Sequence, residues 1–365
     1  MPLKGKGFFI WKISACEQGD AAKIAFEAHR AGLTHVLVKI ANGIYDYNYD
    51  SAARKDLVAP LAEELSKYGI STWGWHYVFG DLPKDEAAAA IRQIRKIPLE
   101  GYVIDAESEY KGKYTPCRIF MNVLRNALPD FPIALSSFRY PKLHNDLPWT
   151  DFLSKSDLNM PQVYWEQAHN PGEQLARSYA EFQSIINPFR PIIPTGAAYS
   201  AGGWTPTPAD VIEFLNKAVT LGLSGANFWS WDYCRSKLPL LWDTISSFGW
   251  PSAPNPEKDI VEEFADGINT RNITKILTLY QSDAVHITAR RTIQGRAALR
   301  KWYTDEFEGF LKEAHLSITD YELTDTHRKF SWKISRAGGN TKIGCDSFGI
   351  SNEKIIYHFS TMENQ

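Results

Sequence analysis

The chain has no excess of basic residues, no long apolar run and no closely spaced cysteine pair. A formal net charge of -2 provides no basic face, so nucleic acid is not an expected partner. Because no apolar run has the length of a membrane span or a signal peptide, we expect a cytoplasmic protein without a membrane partner. The scattered cysteines indicate reduced thiols, neither a disulfide frame nor a metal site; they are Cys16, Cys117, Cys234 and Cys345.

A glycine-rich phosphate-binding turn is also missing after the first predicted strand, where residues 14–19 read SACEQG. That absence argues against a doubly wound dinucleotide-binding sheet. Instead, eight strand-like segments alternate with helical patterns up to about Gly249: 7–13, 35–40, 71–79, 102–107, 133–138, 159–165, 191–198 and 224–231. Eight such units over this length predict an α/β fold, a (β/α)8 TIM barrel, for residues 1–250.

The sequence pattern changes after Trp250. Residues 251–256 contain three prolines without hydrophobic periodicity, which is typical of a linker. Residues 257–365 then begin with a helical segment at 260–280, followed by five candidate strands: 284–287, 316–323, 329–335, 342–350 and 354–359. Helices first and strands after them predict a smaller α+β domain.

Two carboxylates end the fourth predicted strand, in the segment GYVIDAE at residues 101–107. Residues i and i+2 of a strand point to the same face, so Asp105 and Glu107 project together. The carboxyl ends of barrel strands form the catalytic face, and paired carboxylates in different surroundings cleave glycosidic bonds. Solvated acids also end many strands, so a purely structural interpretation stays open.

Five short motifs carry a family resemblance. The fourth strand keeps the Gly, the last Asp and the Glu of DGxDxDxE, the signature of family 18 chitinases, and it fits the apolar-DxE form of family 25 muramidases without exception. The other motifs are KIANG at 39–43, GWHY at 74–77, MPQVY at 160–164 and FWSWD at 228–232. The first domain therefore resembles the glycoside hydrolase clan that contains both families.

This chain departs from those relatives at two supporting acids. Muramidases carry an Asp on the first strand, whereas this strand reads IWKI at 10–13. Chitinases carry an Asp directly after the sixth-strand Tyr, whereas Trp165 and Glu166 follow Tyr164 here. The chemistry therefore either uses a reduced set of residues or has been altered or lost.

The resemblance implies cleavage of N-acetylated glycans such as peptidoglycan or chitin fragments. Glu107 would protonate the leaving oxygen as general acid, and Asp105 would orient the substrate N-acetyl group or stabilise charge. Tyr164 would hydrogen-bond the N-acetyl carbonyl. Trp229 or Trp231 would pack beneath the sugar ring, although strand alternation alone leaves open which face points inward.

Five further polar residues are substrate-binding candidates near the strand ends: Lys39, His76, Gln162, Glu166 and Asp232. Lys39 inside a barrel strand needs an acidic partner, which Asp105 or Glu107 would supply. A lone His near a strand end is more often structural. Because no second His at ligand spacing accompanies His76, no metal site is expected.

The second domain resembles SnoaL-like domains of the nuclear-transport-factor-2-like fold. The segment IQGRAALRKWY at 293–303 matches their I-x-G-R-x-A-I-R-x-W/F pattern, and DSFGI at 346–350 matches a closing strand. The resemblance implies a cone in which His286, Trp332 and Asp346 line a pocket. An Asp in a dry pocket is able to act as a base, as in ketosteroid isomerase, and a satisfied polar residue in a binding cone is the alternative.

Taken together, the residues and the resemblances predict a soluble two-domain glycosidase that binds a glycan or oligosaccharide and uses no cofactor. The C-terminal domain is expected to bind a ligand or to form a homodimer. Two other functions stay open. One is a non-catalytic carbohydrate or small-molecule binder on a degenerate hydrolase barrel, and the other is a SnoaL-type cyclase or isomerase.

Overall fold

The computed structural model describes residues 3–50, 53–251, 259–324, 326–336 and 341–362. The chain divides into two compact units, Met1–Pro256 and Glu257–Gln365. Except for Pro251, the linker predicted at 251–256 lies outside the described residues. Within the described ranges, no helix has both the length and the apolar character needed to cross a membrane.

In the described part of the first unit, eight parallel strands close into a barrel. They are β1 (Gly5–Ile10), β2 (His35–Asn42), β3 (Ser71–Val78), β4 (Gly101–Ala106), β5 (Ile133–Phe138), β6 (Leu158–Val163), β7 (Thr195–Ala197) and β8 (Gly225–Trp229). Each strand pairs with the next one along the chain, and β1 also pairs with β8. The predicted (β/α)8 barrel is confirmed.

Helices follow the strands and pack around the barrel. They are α1 (Ala21–Arg30), α2 (Val58–Lys67), α3 (Pro83–Lys96), α4 (Tyr114–Ala127), α5 (Trp149–Leu153), α6 (Pro171–Ile185), α7 (Pro208–Thr220), α8 (Trp231–Lys237) and α9 (Pro239–Ser247). Side-chain caps fix some boundaries: Asp20 caps α1, and Thr207 with Asp210 forms a capping box on α7. The last of these helices, α9, matches the closing helix that the sequence pattern predicts at 237–248, and the shorter α8 precedes it. Pro239 begins α9, where the first residue of a helix has no intrahelical N–H bond to lose.

Alternation along the strands separates two apolar cores in the barrel unit. In β1, Phe9 faces the barrel interior, whereas Phe8 faces the surrounding helices. In β4, Val103 faces the interior. Asp105 and Glu107 continue this inward-facing set, because they follow Val103 at steps of two residues. The fold therefore directs both carboxylates to the C-terminal mouth of the barrel.

The described residues of the second unit form three helices and a six-stranded sheet. The elements are α10 (Ile260–Asn269), α11 (Ile273–Thr278), β9 (Tyr280–Thr288), β10 (Thr292–Gln294), α12 (Arg296–Glu308), β11 (Ala314–Leu323), β12 (His327–Arg336), β13 (Thr341–Ser351) and β14 (Lys354–Met362). The strand order is β10-β9-β14-β13-β12-β11, antiparallel except where β9 meets β14. The predicted smaller α+β domain is confirmed.

The sequence pattern did not reveal β10 and α12 as elements of this second unit. The strand β10 has three residues, and α12 buries only Leu299 and Tyr303 of its thirteen. Neither segment therefore carries the strong hydrophobic periodicity on which prediction from a sequence depends.

Candidate active site

A cavity of about 490 Å³ opens at the C-terminal ends of the barrel strands. Pockets for small ligands occupy roughly 300–1,000 Å³, so the size suits a few sugar units. Seven of the residues singled out in the sequence line the cavity: Lys39, Asp105, Glu107, Gln162, Tyr164, Glu166 and Trp229. They come from the ends of β2, β4, β6 and β8 and from the loops just beyond, so barrel closure brings together side chains that are distant in the sequence.

The side-chain amide of Gln162 bridges the two carboxylates. Its Nε2 donates to Asp105 Oδ1 at 3.0 Å and to Glu107 Oε1 at 2.9 Å, with Ser136 Oγ 3.4 Å away. Asp105 is only 7% exposed, whereas Glu107 is partly exposed. Because one nitrogen contacts both acids, those two carboxylate oxygens lie less than 6 Å apart. Gln162 therefore positions the acid pair in addition to lining the cavity.

Burial raises the pKa of both carboxyl groups. For Asp105, loss of solvation is the largest cause of the raised pKa, Glu107 adds to it, and Lys39 opposes it. For Glu107, loss of solvation is again the largest cause of the raised pKa, while the hydrogen bond from Gln162 lowers it. Neighbouring carboxyl groups titrate as a pair. The pair is therefore suited to hold one proton beside one negative charge, which an acid and its charge-stabilising partner require.

Lys39 lies among aromatic rings in the cavity wall. Its Nζ is 4.6 Å from the ring centroids of both Tyr47 and Trp75 and donates to Asn42 Oδ1 at 2.9 Å. Burial lowers the pKa of Lys39 to about 8, and the charge of Asp105 acts in the opposite direction. Cation–π contacts with the rings favour the ammonium form. The acidic partner expected for Lys39 is thus Asp105, which acts through its charge while Asn42 accepts the hydrogen bond.

Trp229 lies at the centre of a cluster of aromatic rings in the cavity wall. Its ring centroid is 5.3 Å from that of Trp75, 5.8 Å from Phe9 and 6.3 Å from Trp11. Flat aromatic faces of this kind pack against the apolar C–H faces of sugar rings. Of the two tryptophans that the sequence left open, Trp229 is the one that lines the cavity.

Two tyrosines in the cavity wall donate hydrogen bonds to carboxylates. Tyr77 Oη donates to Glu109 Oε2 at 2.7 Å, and Tyr199 Oη donates to Glu166 Oε1. The ring of Tyr164 stands perpendicular to that of Tyr199, with centroids 5.4 Å apart. Burial raises the pKa of Tyr164 well above its ordinary value, so its hydroxyl remains a hydrogen-bond donor at all working pH values.

His76 does not reach the cavity, which corrects the expectation that it contacts substrate. It is fully buried, and its ring nitrogens contact Tyr102 Oη at 2.8 Å and the carbonyl oxygen of Gly43 at 2.7 Å. Its neighbours Trp75 and Tyr77 line the cavity, so alternation along β3 turns His76 to the other face. Burial lowers the pKa of His76 to about 4, consistent with a neutral structural residue.

Trp231 and Asp232 begin helix α8, which corrects the expectation that they bind substrate. The strand ends at Trp229, so its alternation does not extend to Trp231, and neither Trp231 nor Asp232 lines the cavity. Trp231 is fully buried, and its Nε1 donates to Glu17 Oε2 at 2.8 Å. Asp232 lies in the first turn of α8, where an acidic side chain is favoured by the helix dipole.

Six aromatic residues that line the cavity were not identified as site residues from the sequence: Phe9, Trp11, Trp75, Tyr77, Phe79 and Tyr199. Trp11 follows Phe9 by two positions and Tyr77 follows Trp75 by two, so alternation from a known inward-facing residue would have found both. Tyr199 lies in a loop beyond β7, which has only three residues. No strand alternation extends to Tyr199, so the sequence does not indicate that its side chain points into the cavity.

The residues predicted to line a pocket in the second unit belong to a buried polar network. Asp346 Oδ1 accepts from Trp332 Nε1 at 2.9 Å, and Asp346 Oδ2 contacts His358 Nε2 at 2.8 Å. His286 stacks on His358 with ring centroids 3.8 Å apart and contacts Ser360 Oγ at 2.8 Å. Burial lowers the pKa of His286 to about 2. Both oxygens of Asp346 are satisfied, which matches a satisfied polar residue better than a base.

Among the described residues, no cluster of three or more His, Cys, Asp or Glu side chains is arranged to hold a metal ion. A smaller cavity of about 230 Å³ lies in the second unit, where Arg296 and Arg300 of α12 line it together with Thr274 and Thr278. Those residues are polar but include no acid or base suited to catalysis.

No protein family model matches the chain, and no curated protein matches it. Among solved structures, a candidate isomerase of the SnoaL-like family from Agrobacterium tumefaciens shares 12% identity over 29% of this chain and 95% of that one, with a TM-score of 0.27. A candidate polyketide cyclase from Sinorhizobium meliloti shares 18% identity over 28% of this chain and 94% of that one, with a TM-score of 0.26. Similarity at this level supports no inference about activity.

Proposed function

We propose that the barrel unit is a glycoside hydrolase that acts on N-acetylated glycans, such as chitin fragments or peptidoglycan. The observation that carries the proposal is the pair of Asp105 and Glu107, bridged by the Gln162 amide inside an aromatic-lined cavity. Two carboxyl groups with raised pKa values and unequal exposure are the groups that glycosidic cleavage requires.

In the proposed reaction Glu107 is the general acid, because it is the more exposed member of the pair and therefore the nearer to an incoming glycan. It donates its proton to the glycosidic oxygen while the bond to the anomeric carbon breaks. The carbonyl oxygen of the substrate N-acetyl group attacks that carbon, oriented by Asp105 and hydrogen-bonded by Tyr164. Water then attacks the anomeric carbon and opens the cyclic intermediate. Glu107 takes up the proton that this water molecule loses.

The proposed reaction predicts retention of configuration at the anomeric carbon. The N-acetyl oxygen attacks that carbon from the face opposite the leaving group, and water then attacks from the face opposite the N-acetyl oxygen, so two inversions give net retention. The bridged oxygens of Asp105 and Glu107 are less than 6 Å apart. That separation is shorter than the roughly 6.5–9.5 Å at which inverting enzymes hold a water molecule between their two carboxyl groups.

The competing proposal is a barrel that binds glycans without cleaving them, because the first strand carries no acid. Turnover of chitooligosaccharides and of peptidoglycan by the unchanged protein and by Glu107→Gln separates the two. We expect the substitution to lower kcat by about 10²–10⁴-fold, the usual contribution of a general acid. Glu100→Gln, a change of the same type at an exposed residue before β4, is the matched control and should retain full activity.

Three outcomes of this experiment are informative. If the unchanged protein binds saccharides but does not cleave them, the barrel is a binding protein and not a hydrolase. If Glu107→Gln turns over substrate as fast as the unchanged protein, the barrel is a hydrolase but Glu107 is not its general acid. NMR identifies which anomer of the product forms first, and this tests the expected retention of configuration.

A further inference from the structure

Two large aromatic side chains are exposed next to the cavity. Trp11 is 43% exposed although it lines the cavity, and Tyr45 is 73% exposed just beyond β2. Exposed aromatic groups beside a cavity mark binding surfaces more often than exposed aliphatic residues scattered singly. Trp11 and Tyr45 are therefore candidates for contact with a ligand that fills the cavity.

Strand register places Tyr45 on the side of the cavity. The two-residue strand Tyr45–Asp46 pairs antiparallel with the end of β2, and Tyr45 lies directly opposite Asn42. Side chains directly opposite each other in an antiparallel pair share one face, with their Cβ atoms about 4.5–5.5 Å apart. Asn42 lines the cavity and accepts the hydrogen bond from Lys39, so Tyr45 projects from the same face at the rim.

Trp11 and Tyr47 border the same ammonium group. The Nζ of Lys39 is 4.6 Å from the ring centroid of Tyr47 and 5.8 Å from that of Trp11. Tyr45 is two positions from Tyr47 and lies opposite Asn42, which lines the cavity. Trp11, Tyr45 and Tyr47 are together named the aromatic platform.

The backbone that carries the platform is held in place. Asn48 donates from Nδ2 to the carbonyl oxygens of Trp11 at 3.0 Å and Lys39 at 2.8 Å, and its Oδ1 accepts from the N–H of Ile13 at 2.8 Å. Asp46 forms an ion pair with Arg92 of α3 at 2.5 Å. A surface fixed before binding loses less entropy when a ligand arrives, which favours a binding role.

We propose that the aromatic platform binds the sugar units of a glycan chain that extends beyond the cavity, so that the preferred ligand is a polymer and not a mono- or disaccharide. The inference rests on the proposed function for the identity of the ligand as a saccharide. A cavity of about 490 Å³ holds only part of such a chain, and the remainder has to cross the rim. Aromatic rings that continue from the cavity wall offer stacking faces for it.

Binding of chitobiose, chitotetraose and chitohexaose by isothermal titration calorimetry tests the platform. The full-length Glu107→Gln protein serves as parent, because it should bind each ligand without cleaving it. We expect affinity to rise with chain length in the parent. Tyr45→Ala should lower the affinity for chitohexaose about five-fold, the effect of losing one stacked ring, and leave chitobiose unchanged.

Two matched variants control the experiment. Tyr45→Phe keeps the ring and should bind chitohexaose as the parent does. Phe189→Ala removes an aromatic side chain of 37% exposure from the loop between α6 and β7, at the opposite end of the barrel, and should have no effect. Circular dichroism melting checks that each variant is folded.

The outcomes distinguish the platform from the proposed function. Equal affinity of the parent for all three chain lengths, or equal affinity of the parent and Tyr45→Ala for chitohexaose, overturns the platform and leaves the hydrolase intact. Length-dependent binding that Tyr45→Ala abolishes supports the platform even if the unchanged protein shows no turnover. Absence of saccharide binding at every length overturns both.

Discussion

At the scale of single residues, Gln162 controls the chemistry of the acid pair. Its Nε2 is the hydrogen-bond donor that Asp105 and Glu107 share, and hydrogen bonds to the ionised form lower the pKa of a carboxyl group. Burial and mutual repulsion act in the opposite direction. Gln162 therefore limits how far the two pKa values rise.

Replacing Gln162 with Met should move the pH optimum of hydrolysis upward. Without the amide, the pKa values of both Asp105 and Glu107 rise, so ionisation of one member and loss of the proton from the other each occur at higher pH. Both limbs of the bell-shaped profile of kcat/KM therefore shift in the same direction. Glu100→Gln is the control, because Glu100 is exposed before β4 and its replacement should leave the profile unchanged. An unshifted profile in Gln162→Met would show that the amide does not tune the pair.

At the scale of elements, the barrel was predictable because each parallel strand is buried on both faces and reads as a short apolar run. The strand β5 begins and ends where the sequence pattern predicts a strand, at residues 133 and 138. Asp105 and Glu107 could likewise be assigned to one face, since that needs only the two-residue period of a strand. Which of the two faces points into the barrel depends on how the barrel closes, and the sequence pattern does not show this.

The misplaced residues follow from that limit. Trp231 was placed by alternation from Trp229, but the strand ends between them and α8 begins. His76 alternates with Trp75 and Tyr77, and only the closed barrel shows that those two face the cavity. The bridge from Gln162 joins residues on β4 and β6, so no local pattern announces it.

Asn48 ties the loop after β2 to two neighbouring segments, and Asn48→Ala should destabilise the barrel unit. The substitution removes three hydrogen bonds, each worth about 1 kcal/mol, so we expect a loss of about 2–4 kcal/mol in the free energy of unfolding. Asn48 also has a positive φ of 53°, which Ala tolerates poorly and Gly tolerates well. Urea unfolding measures both variants.

The comparison between the two Asn48 variants separates hydrogen bonding from backbone strain. Asn48→Gly loses the same hydrogen bonds as Asn48→Ala without the cost at positive φ, so it should be the less destabilised of the two. Stability equal to that of the unchanged protein in both variants would show that the three hydrogen bonds do not hold the loop.

At the scale of the whole molecule, each unit has its own apolar core. The cavity is lined entirely by residues of the first unit. The core of the second unit is built around residues such as Phe264, Tyr303 and Phe348. Its strands β13 and β14 also expose apolar side chains, among them Tyr357 at 42% and Phe359 at 45%. Catalysis is therefore expected in one unit, and association between copies of the chain in the other.

A chain that ends at residue 256 should accordingly keep the kcat/KM of the full chain on chitooligosaccharides, because it contains every residue that lines the cavity. Sedimentation velocity should show a dimer for the full chain and a monomer for the shortened one, since an exposed apolar sheet face favours burial against a second copy. The variant Phe359→Lys in the full chain is the matched test, because it charges that face without removing the unit. A dimer that persists in the shortened chain would place the contact on the barrel. Loss of turnover in a folded shortened chain would mean that the second unit takes part in the reaction.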